Sequence, residues 1–276
     1  LGSEGRTFFE DLAVMDWNSM KYALLGGIVW NFGNIFLTAA IAVAGMSVGF
    51  PIGGGLAWIG GIIFNYLLIS LAGEVYPGNQ TLLWIGVAVI VIAICICGKA
   101  YGKMSASQAS TPKKGILLAI VAGLALMFFY GLVVKSLNPP YVTGGTGTLT
   151  PYTGVFCFAA GVLITTPVFN TFAMSHPAQG NKVTMKDYLK GDTRTHLIGM
   201  LGGFIWMSGM VVSFMGAGSA NPAIAYALSN AAPVVAMIWG FFVWKEFKGA
   251  PKGTVPMIAT MFVLFVVGLV LITLSN

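Results

Sequence analysis

Charged side chains are scarce in this sequence, and their scarcity decides the class of protein. Asp, Glu, Lys and Arg make up 8% of the 276 residues, against roughly 25% in a soluble globular domain. Hydrophobic residues make up 57%, and the mean hydropathy is +0.86. So few charges cannot cover a water-facing surface, which excludes a separate soluble domain. The sequence therefore predicts an integral membrane protein.

Cysteine and histidine are also rare, with three and two residues. Cys95, Cys97 and Cys157 lie inside apolar runs, where free cysteine usually serves as a small packing residue. No histidine or further cysteine stands near Cys95 and Cys97 to complete a metal site. Asp187 and Asp192 are too isolated to suggest catalysis. We therefore expect no metal site, no cofactor and no enzymatic activity.

The net charge of +6 would suit a nucleic-acid partner. The basic residues gather in short loops between apolar runs, however, as they do when they set membrane orientation. We therefore expect the lipid bilayer, and not nucleic acid, as a partner. No charged residue or histidine stands at the centre of an apolar run, which argues against a proton relay in this part of the chain. A coupling ion and the oligomeric state are left open.

Eight apolar runs are long enough to cross a bilayer, which needs about 20 residues. Each run has to satisfy its own backbone hydrogen bonds in lipid, and this predicts helices. The expected fold class is therefore all-α, a polytopic membrane bundle of about eight transmembrane helices. The runs are Met20–Gly45, Ser47–Leu71, Leu82–Ala100, Gly115–Leu137, Pro151–Met174, His196–Ala217, Ala220–Trp244 and Val255–Leu274.

Basic residues divide unevenly between the two ends of the predicted bundle, 11 against 3. By the positive-inside rule the richer end faces the cytoplasm, and the C-terminus then lies outside. This predicts a multi-pass protein of the cell membrane, or of the inner membrane in a bacterium. The richer group is Lys99, Lys103, Lys113, Lys114, Lys182, Lys186, Lys190, Arg194, Lys245, Lys248 and Lys252, and the other is Arg6, Lys21 and Lys135.

A short pattern occurs twice. The stretch Gly26–Trp30 (GGIVW) returns 176 residues later as Gly202–Trp206 (GGFIW), and each copy precedes a proline-containing span rich in small residues. The charge bias orients the two copies oppositely, as in the inverted repeats of secondary transporters. We expect two units, 1–114 with three helices and 115–276 with five. Because inverted units match in helix number, we expect a ten-helix transporter whose first two helices, roughly sixty residues, precede this sequence.

Several stretches carry a family resemblance. They are Gly2–Gly5, Gly26–Asn34, Ala39–Leu67, Lys186–Leu189, Ala223–Pro233, Trp239–Gly240 and Lys245–Phe247. Together with the inverted repeat, they resemble the drug/metabolite transporter superfamily, which is built from two inverted five-helix units, and most of all its ureide permease family. The glucose and rhamnose porters share much of the pattern. The long central loop of plant members, with its phosphate-loop-like motif, has no counterpart here, which argues against nucleotide use.

Polar residues inside the first run are candidates for a solute site. Asn31, Asn34 and Thr38 share an arc of about 60° on the helix, beside Trp30. Amide groups offer both donors and acceptors to a solute, although the same residues would also serve as hydrogen-bonding groups between helices. The corresponding wall of the second copy is apolar beside Trp206. The pair of walls would suit a flat or ring-shaped solute with a hydrogen-bonding edge.

Three further runs add candidates. Thr166 and Asn170 lie one turn apart beside Pro167. A proline frees a carbonyl group near the membrane centre, where transporter sites form, although a neighbouring helix can satisfy that group instead. The solute candidates of the seventh run are Tyr226, Ser229 and Asn230, which share one face with Pro233. The hinge or packing candidates are Gly49, Pro51, Gly53, Pro167 and Pro233.

The resemblance implies a secondary transporter of small polar solutes that works by alternating access, with ureides or related nitrogen heterocycles favoured as the small-molecule substrate. A sugar porter of the glucose and rhamnose type is the first alternative, and a multidrug or metabolite exporter is the second. An exporter of cations would need an acidic residue in its cavity. A channel would usually show a filter motif or rings of charge.

Overall fold

The computed structural model describes residues 7–75, 78–107, 112–142, 144–216, 225, 234–235, 238–245 and 247–275. Within these residues the chain is helical, and an isolated bridge between Leu137 and Leu149 is the only β pairing. The predicted all-α fold class is confirmed. The helices are α1 Phe8–Ala13, α2 Trp17–Ala44, α3 Met46–Leu71, α4 Gln80–Ser107, α5 Pro112–Leu126, α6 Phe129–Ser136, α7 Pro151–Ser175, α8 Met185–Leu189, α9 Thr193–Gly216 and α10 Thr254–Thr273, with a 3-10 turn at Pro139–Tyr141 and a π turn at Trp239–Val243.

Seven spans of the described part are long and apolar enough to cross a membrane, and α5 with α6 forms one of them. They coincide with seven of the eight predicted runs, and a polytopic helical bundle is confirmed. The remaining run, Ala220–Trp244, lies largely outside the described residues. The expected number of about eight therefore stays a prediction at that position.

A single glycine separates α2 from α3. Gly45 has a φ of 83°, a left-handed conformation that costs glycine no steric clash. Its N–H donates to the carbonyl group of Ile41 at 2.8 Å and ends α2. A Cβ on Gly49 would lie 2.8 Å from the backbone nitrogen of Ile41, so α2 and α3 pack at backbone distance. The two helices therefore form a tight antiparallel pair.

α2 also packs along α7, and the two helices run in the same direction. At their starts, the N–H of Thr148 donates to Oγ of Ser19 at 3.0 Å. Further along, the rings of Phe32 and Phe169 lie 5.9 Å apart. Between these points, a Cβ on Gly27 would overlap the α7 backbone. The glycine is needed there because the helices approach more closely than any side chain allows.

α9 runs the other way. The loop before it stays beside the end of α7, since the N–H of Val183 donates to the carbonyl group of Met174 at 3.0 Å. Trp206 of α9 then reaches Phe158, near the start of α7, with ring centroids 6.1 Å apart. α9 is therefore antiparallel to α7 and to α2. The two helices with the repeated pattern run in opposite directions, as an inverted pair requires, while the division into 1–114 and 115–276 stays a prediction.

The basic loops lie together at one end of the bundle. Nζ of Lys114, at the start of α5, donates to the carbonyl group of Ala178, in the loop after α7, at 2.6 Å. A Cβ on Gly253, just before α10, would lie 3.5 Å from Nζ of Lys103 at the end of α4. We name this the basic end. The starts of α2 and α7 and the end of α3 lie at the opposite end.

Candidate solute-binding site

Asn31 joins α2 to α7. Its side chain is 4% exposed, and Nδ2 donates to Oγ1 of Thr165 at 3.0 Å and to the carbonyl group of Val162 at 3.4 Å. The Thr165 hydroxyl in turn bonds carbonyl groups of its own helix. Of the two roles that sequence reasoning left open for Asn31, these contacts match the interhelical one.

Asn34 and Thr38 continue the same face of α2 towards the basic end, in different surroundings. Asn34 is half-buried and Thr38 is exposed. Oγ1 of Thr38 donates to the Asn34 carbonyl group at 2.9 Å, within its own helix. The amide of Asn34 therefore stands between a packed region at Asn31 and an exposed one at Thr38.

Trp30 and Trp206 meet where the antiparallel helices α2 and α9 touch. Their ring centroids are 4.5 Å apart with an interplanar angle of 34°, and Phe158 lies 5.9 Å from Trp30. Trp206 is 37% exposed. From Leu197 to Trp206 every residue of α9 is exposed, so α9 packs on the described helices from Trp206 onward. The part of α9 between the tryptophan pair and the basic end is therefore not packed against the described helices.

α7 contributes two polar candidates of unequal character. Oγ1 of Thr166 donates to the carbonyl group of Val162 at 2.8 Å, within α7. Asn170 is half-buried, and its Oδ1 is enclosed with no hydrogen-bond partner in the described part of the chain. Pro167 lies inside α7 and is exposed. Asn170 is therefore the α7 residue with an acceptor still available to a solute.

The second-run candidates pack against neighbouring helices. Gly49 lies at backbone distance from α2, and a Cβ on Gly53 would lie 2.8 Å from Cδ1 of Leu37 and 3.0 Å from the carbonyl oxygen of Ala119. Pro51 is buried inside α3. These contacts match the packing role, and a hinge role stays a prediction. Tyr226, Ser229, Asn230 and Pro233 lie outside the described residues.

The interior face of α3 holds two polar side chains that sequence reasoning did not assign to the site. Trp58 is 0% and Asn65 1% exposed. Nε1 of Trp58 and Oδ1 of Asn65 have no hydrogen-bond partner among the described residues. Sequence analysis based on clusters of polar residues misses them, because each is isolated in an apolar helix. The sequence signal that could have found them is two polar side chains seven residues apart, which lie on the same helical face.

At the opposite end, the loop between α6 and α7 ties three helices together. Oγ1 of Thr148 donates to Asp16, and the N–H of Gly144 donates to Oε2 of Glu74 at 3.1 Å. Hydrogen bonds from the side chains of Ser19 and then Thr148 hold the pKa of Asp16 below its ordinary value, against a smaller effect of burial. The starts of α2 and α7 and the end of α3 are thus held by polar contacts.

An apolar cavity of about 260 Å³ lies between the π turn and α10, lined by Phe241, Ile258 and Phe262 among others. Its lining within the described residues carries no polar side chain. It contains none of the candidate residues. We therefore assign it no part in binding a polar solute.

Spanning helices joined by uncharged polar residues define a multi-pass helical membrane protein. The protein-family model described as Ureide permease matches residues 2–114 and 103–275 of the chain. The chain belongs to the ureide permease family, which confirms the resemblance seen in its sequence. Membership of a permease family indicates a membrane transport protein.

Three relatives from Arabidopsis thaliana show how far the similarity extends. Ureide permease 1 is 24% identical over 335 residues, covering 100% of this chain and 83% of the relative. Ureide permease 2 is 24% identical over 329 residues, covering 98% and 81%. Ureide permease 4 is 21% identical over 330 residues, covering 98% and 81%. No solved structure matches the chain.

Proposed function

We propose that this chain is a secondary transporter of small polar solutes, with ureides or related nitrogen heterocycles as the favoured substrates. Family membership supports transport, and the names of the relatives support the ureide class. The urea group and the hydantoin ring of such solutes are uncharged, planar and rich in both N–H and C=O groups. Amide side chains match such a solute because each offers donors and an acceptor.

One observation carries the proposal at the level of residues. The tryptophan pair joins two antiparallel helices, and the half-buried amides of Asn34 and Asn170 follow it towards the basic end. A heterocycle would stack on the exposed face of Trp206 and place its hydrogen-bonding edge against the two amides. Asn31 would hold α2 on α7 and shape this wall from behind.

The transport cycle we propose is alternating access by two inverted units, 1–114 and 115–276. The opposite directions of α2 and α9 support this arrangement, because inverted repeats rock about a site at their junction. The basic end would face the cytoplasm of a cell membrane, since basic loops are retained there. The C-terminus, which follows α10, would then lie outside.

Counterflow in proteoliposomes tests the proposal. Vesicles carrying the protein and loaded with unlabelled allantoin should accumulate labelled allantoin transiently, because a carrier exchanges solute across the membrane. Uracil should compete, and glucose should not. Exchange of glucose alone would favour the sugar porter, and exchange of none of them would refute the proposal.

Matched variants test the site. Asn34→Ala and Asn170→Ala should each raise the half-saturation concentration about tenfold, the effect of one lost hydrogen bond to substrate. Asn18→Ala, at an exposed position near the start of α2, is the control and should behave as the wild type. Equal affinities in all three variants would remove the two amides from the site.

A further inference from the structure

One face of α3 forms a buried stripe through the centre of the bundle. It comprises Trp58, Ile62, Asn65 and Ile69, whose exposed fractions are 0%, 0%, 1% and 1%. Their spacing of four, three and four residues places them on one side of a helix. Two of the four are polar, which is unusual for a stripe this deep in a membrane span.

The polar atoms of this stripe are one donor and one acceptor. Nε1 of Trp58 and Oδ1 of Asn65 are buried with no hydrogen-bond partner in the described chain. The other amide atom of Asn65, Nδ2, donates to the carbonyl group of Gly61 at 2.7 Å. Lipid provides no water to either atom, and an unsatisfied buried polar group costs about 1–3 kcal/mol. Phenylalanine and leucine at these two positions would avoid that cost.

The Trp58 end of the stripe faces a seam between two closely packed groups of helices, whereas Ile69 at its other end lies beside Gly144 of the loop between α6 and α7. On the other side of α3, a Cβ on Gly60 would lie 2.7 Å from Cβ of Met127, the residue that follows α5. α4 is instead joined to α10, where a Cβ on Gly86 would lie 2.9 Å from the Gly268 carbonyl oxygen. Across the seam, the Trp58 ring lies 5.2 Å from that of Phe265 in α10.

We propose that Trp58 and Asn65 form a solute subsite at this seam, which takes a ureide group by receiving its C=O at the indole N–H and its N–H at the amide oxygen. The proposal rests on the function proposed above and adds a second group of solute contacts, on α3. Seven helical residues rise about 10 Å, and side chains lean towards the helix start. Both side chains lean the same way, so they stay about 10 Å apart along the helix, a distance that a small ring with one hydrogen bond at each end can span.

Other occupants fit these two atoms less well. A cation would need several oxygen ligands, whereas the pair offers one oxygen and a donor that repels cations. A single water molecule needs two to four polar partners close together, and the two side chains start about 10 Å apart. Both atoms are closed off in this structure, so solute entry requires the α4–α10 pair to separate from α3, as alternating access demands.

Three variants of α3 test the subsite. Trp58→Phe removes the donor and leaves a smaller aromatic ring, and Asn65→Leu removes the acceptor and leaves a branched apolar side chain. Ile52→Leu changes packing at a buried position that packs with Ala40 and Ala119, on another face of α3, and is the control. In allantoin counterflow the first two should raise the half-saturation concentration on the order of tenfold, and the control should not. Asn65→Leu should also raise the melting temperature of the solute-free protein by about 2–4 °C, because an unsatisfied buried group is removed.

Solute chemistry adds a second measurement. Hydantoin carries the ureide N–H groups, and 1,3-dimethylhydantoin lacks them. The wild type should prefer hydantoin about tenfold, and Asn65→Leu should lose that preference. If Asn65→Leu does not reach the membrane, the allantoin measurement on Trp58→Phe decides.

The outcomes separate the two proposals. Absence of ureide exchange by the wild type refutes the proposed function. Ureide exchange by the wild type, with unchanged half-saturation in both polar variants, refutes the α3 subsite alone. A loss of affinity equal in Ile52→Leu and the polar variants also refutes it, because packing would then explain the effect.

Discussion

Replacing Asn31 by alanine removes the amide that joins α2 to α7. Two interhelical hydrogen bonds are lost, at 3.0 Å to Thr165 and 3.4 Å to Val162, each worth about 0.6 kcal/mol in membrane proteins. The side chain is 4% exposed, so a small cavity adds to the loss. We expect Asn31→Ala to lower the free energy of unfolding by about 1–2 kcal/mol.

The comparison with Asn34→Ala separates structural from binding roles. Asn34 is half-buried, so its replacement should change the free energy of unfolding by less than about 0.5 kcal/mol while weakening allantoin binding. Asn31→Ala should instead leave the half-saturation concentration within about twofold. Reversible unfolding in mixed detergent micelles measures the first quantity, and counterflow the second. A stable Asn31→Ala with poor affinity would refute the reasoning, because Asn31 would then face the solute.

Three further predictions follow from the packing, the charges and the basic loops. Gly27→Ala should lower the free energy of unfolding by about 1–3 kcal/mol, because the new methyl group overlaps the α7 backbone. Gly202→Ala changes a glycine of the second copy. It should be nearly neutral, because no described atom lies within 4 Å of a Cβ added there. Asp16→Asn should lower the melting temperature at neutral pH, because the lowered pKa of Asp16 means that its ionised carboxylate stabilises the fold. The difference from the wild type should shrink below about pH 3.8, since the aspartate loses this effect as it is protonated. A membrane-impermeant maleimide should label Thr146→Cys in intact cells, and Lys182→Cys only in permeabilised cells.

Each of these has a result that would contradict it. Equal stability of the two glycine variants would mean that α2 and α7 are not in backbone contact. A constant difference between Asp16→Asn and the wild type down to pH 3 would mean that the carboxylate does not stabilise the opposite end. Labelling of Lys182→Cys in intact cells would invert the proposed orientation.

Some of the spans could be read from the sequence almost to the residue, although α4 runs seven residues beyond its predicted end at Ala100. The run predicted at Pro151–Met174 is α7 at Pro151–Ser175, and the run at Val255–Leu274 is α10 at Thr254–Thr273. The bilayer explains this accuracy, since it demands a minimum apolar length and leaves the helix as the available form.

The candidate site was less predictable. Asn31, Asn34 and Thr38 share one arc of α2, yet one is buried against α7, one is half-buried and one is exposed. Periodicity states which residues share a face, but the neighbour opposite each residue comes from another part of the chain. The partner of Asn31 lies 134 residues away.

The amino-acid sequence by itself determined the membrane class, the positions of the spans, the uneven distribution of charge and the family, since each depends on local composition or on short motifs. The tertiary structure alone decided that Asn31 holds two helices together, that Trp30 meets Trp206, and that polar atoms of Trp58 and Asn65 are buried with no hydrogen-bond partner among the described residues. These facts depend on which helices lie side by side. In lipid, helix association is stabilised by close contact of small residues and by hydrogen bonds between polar groups far apart in the chain.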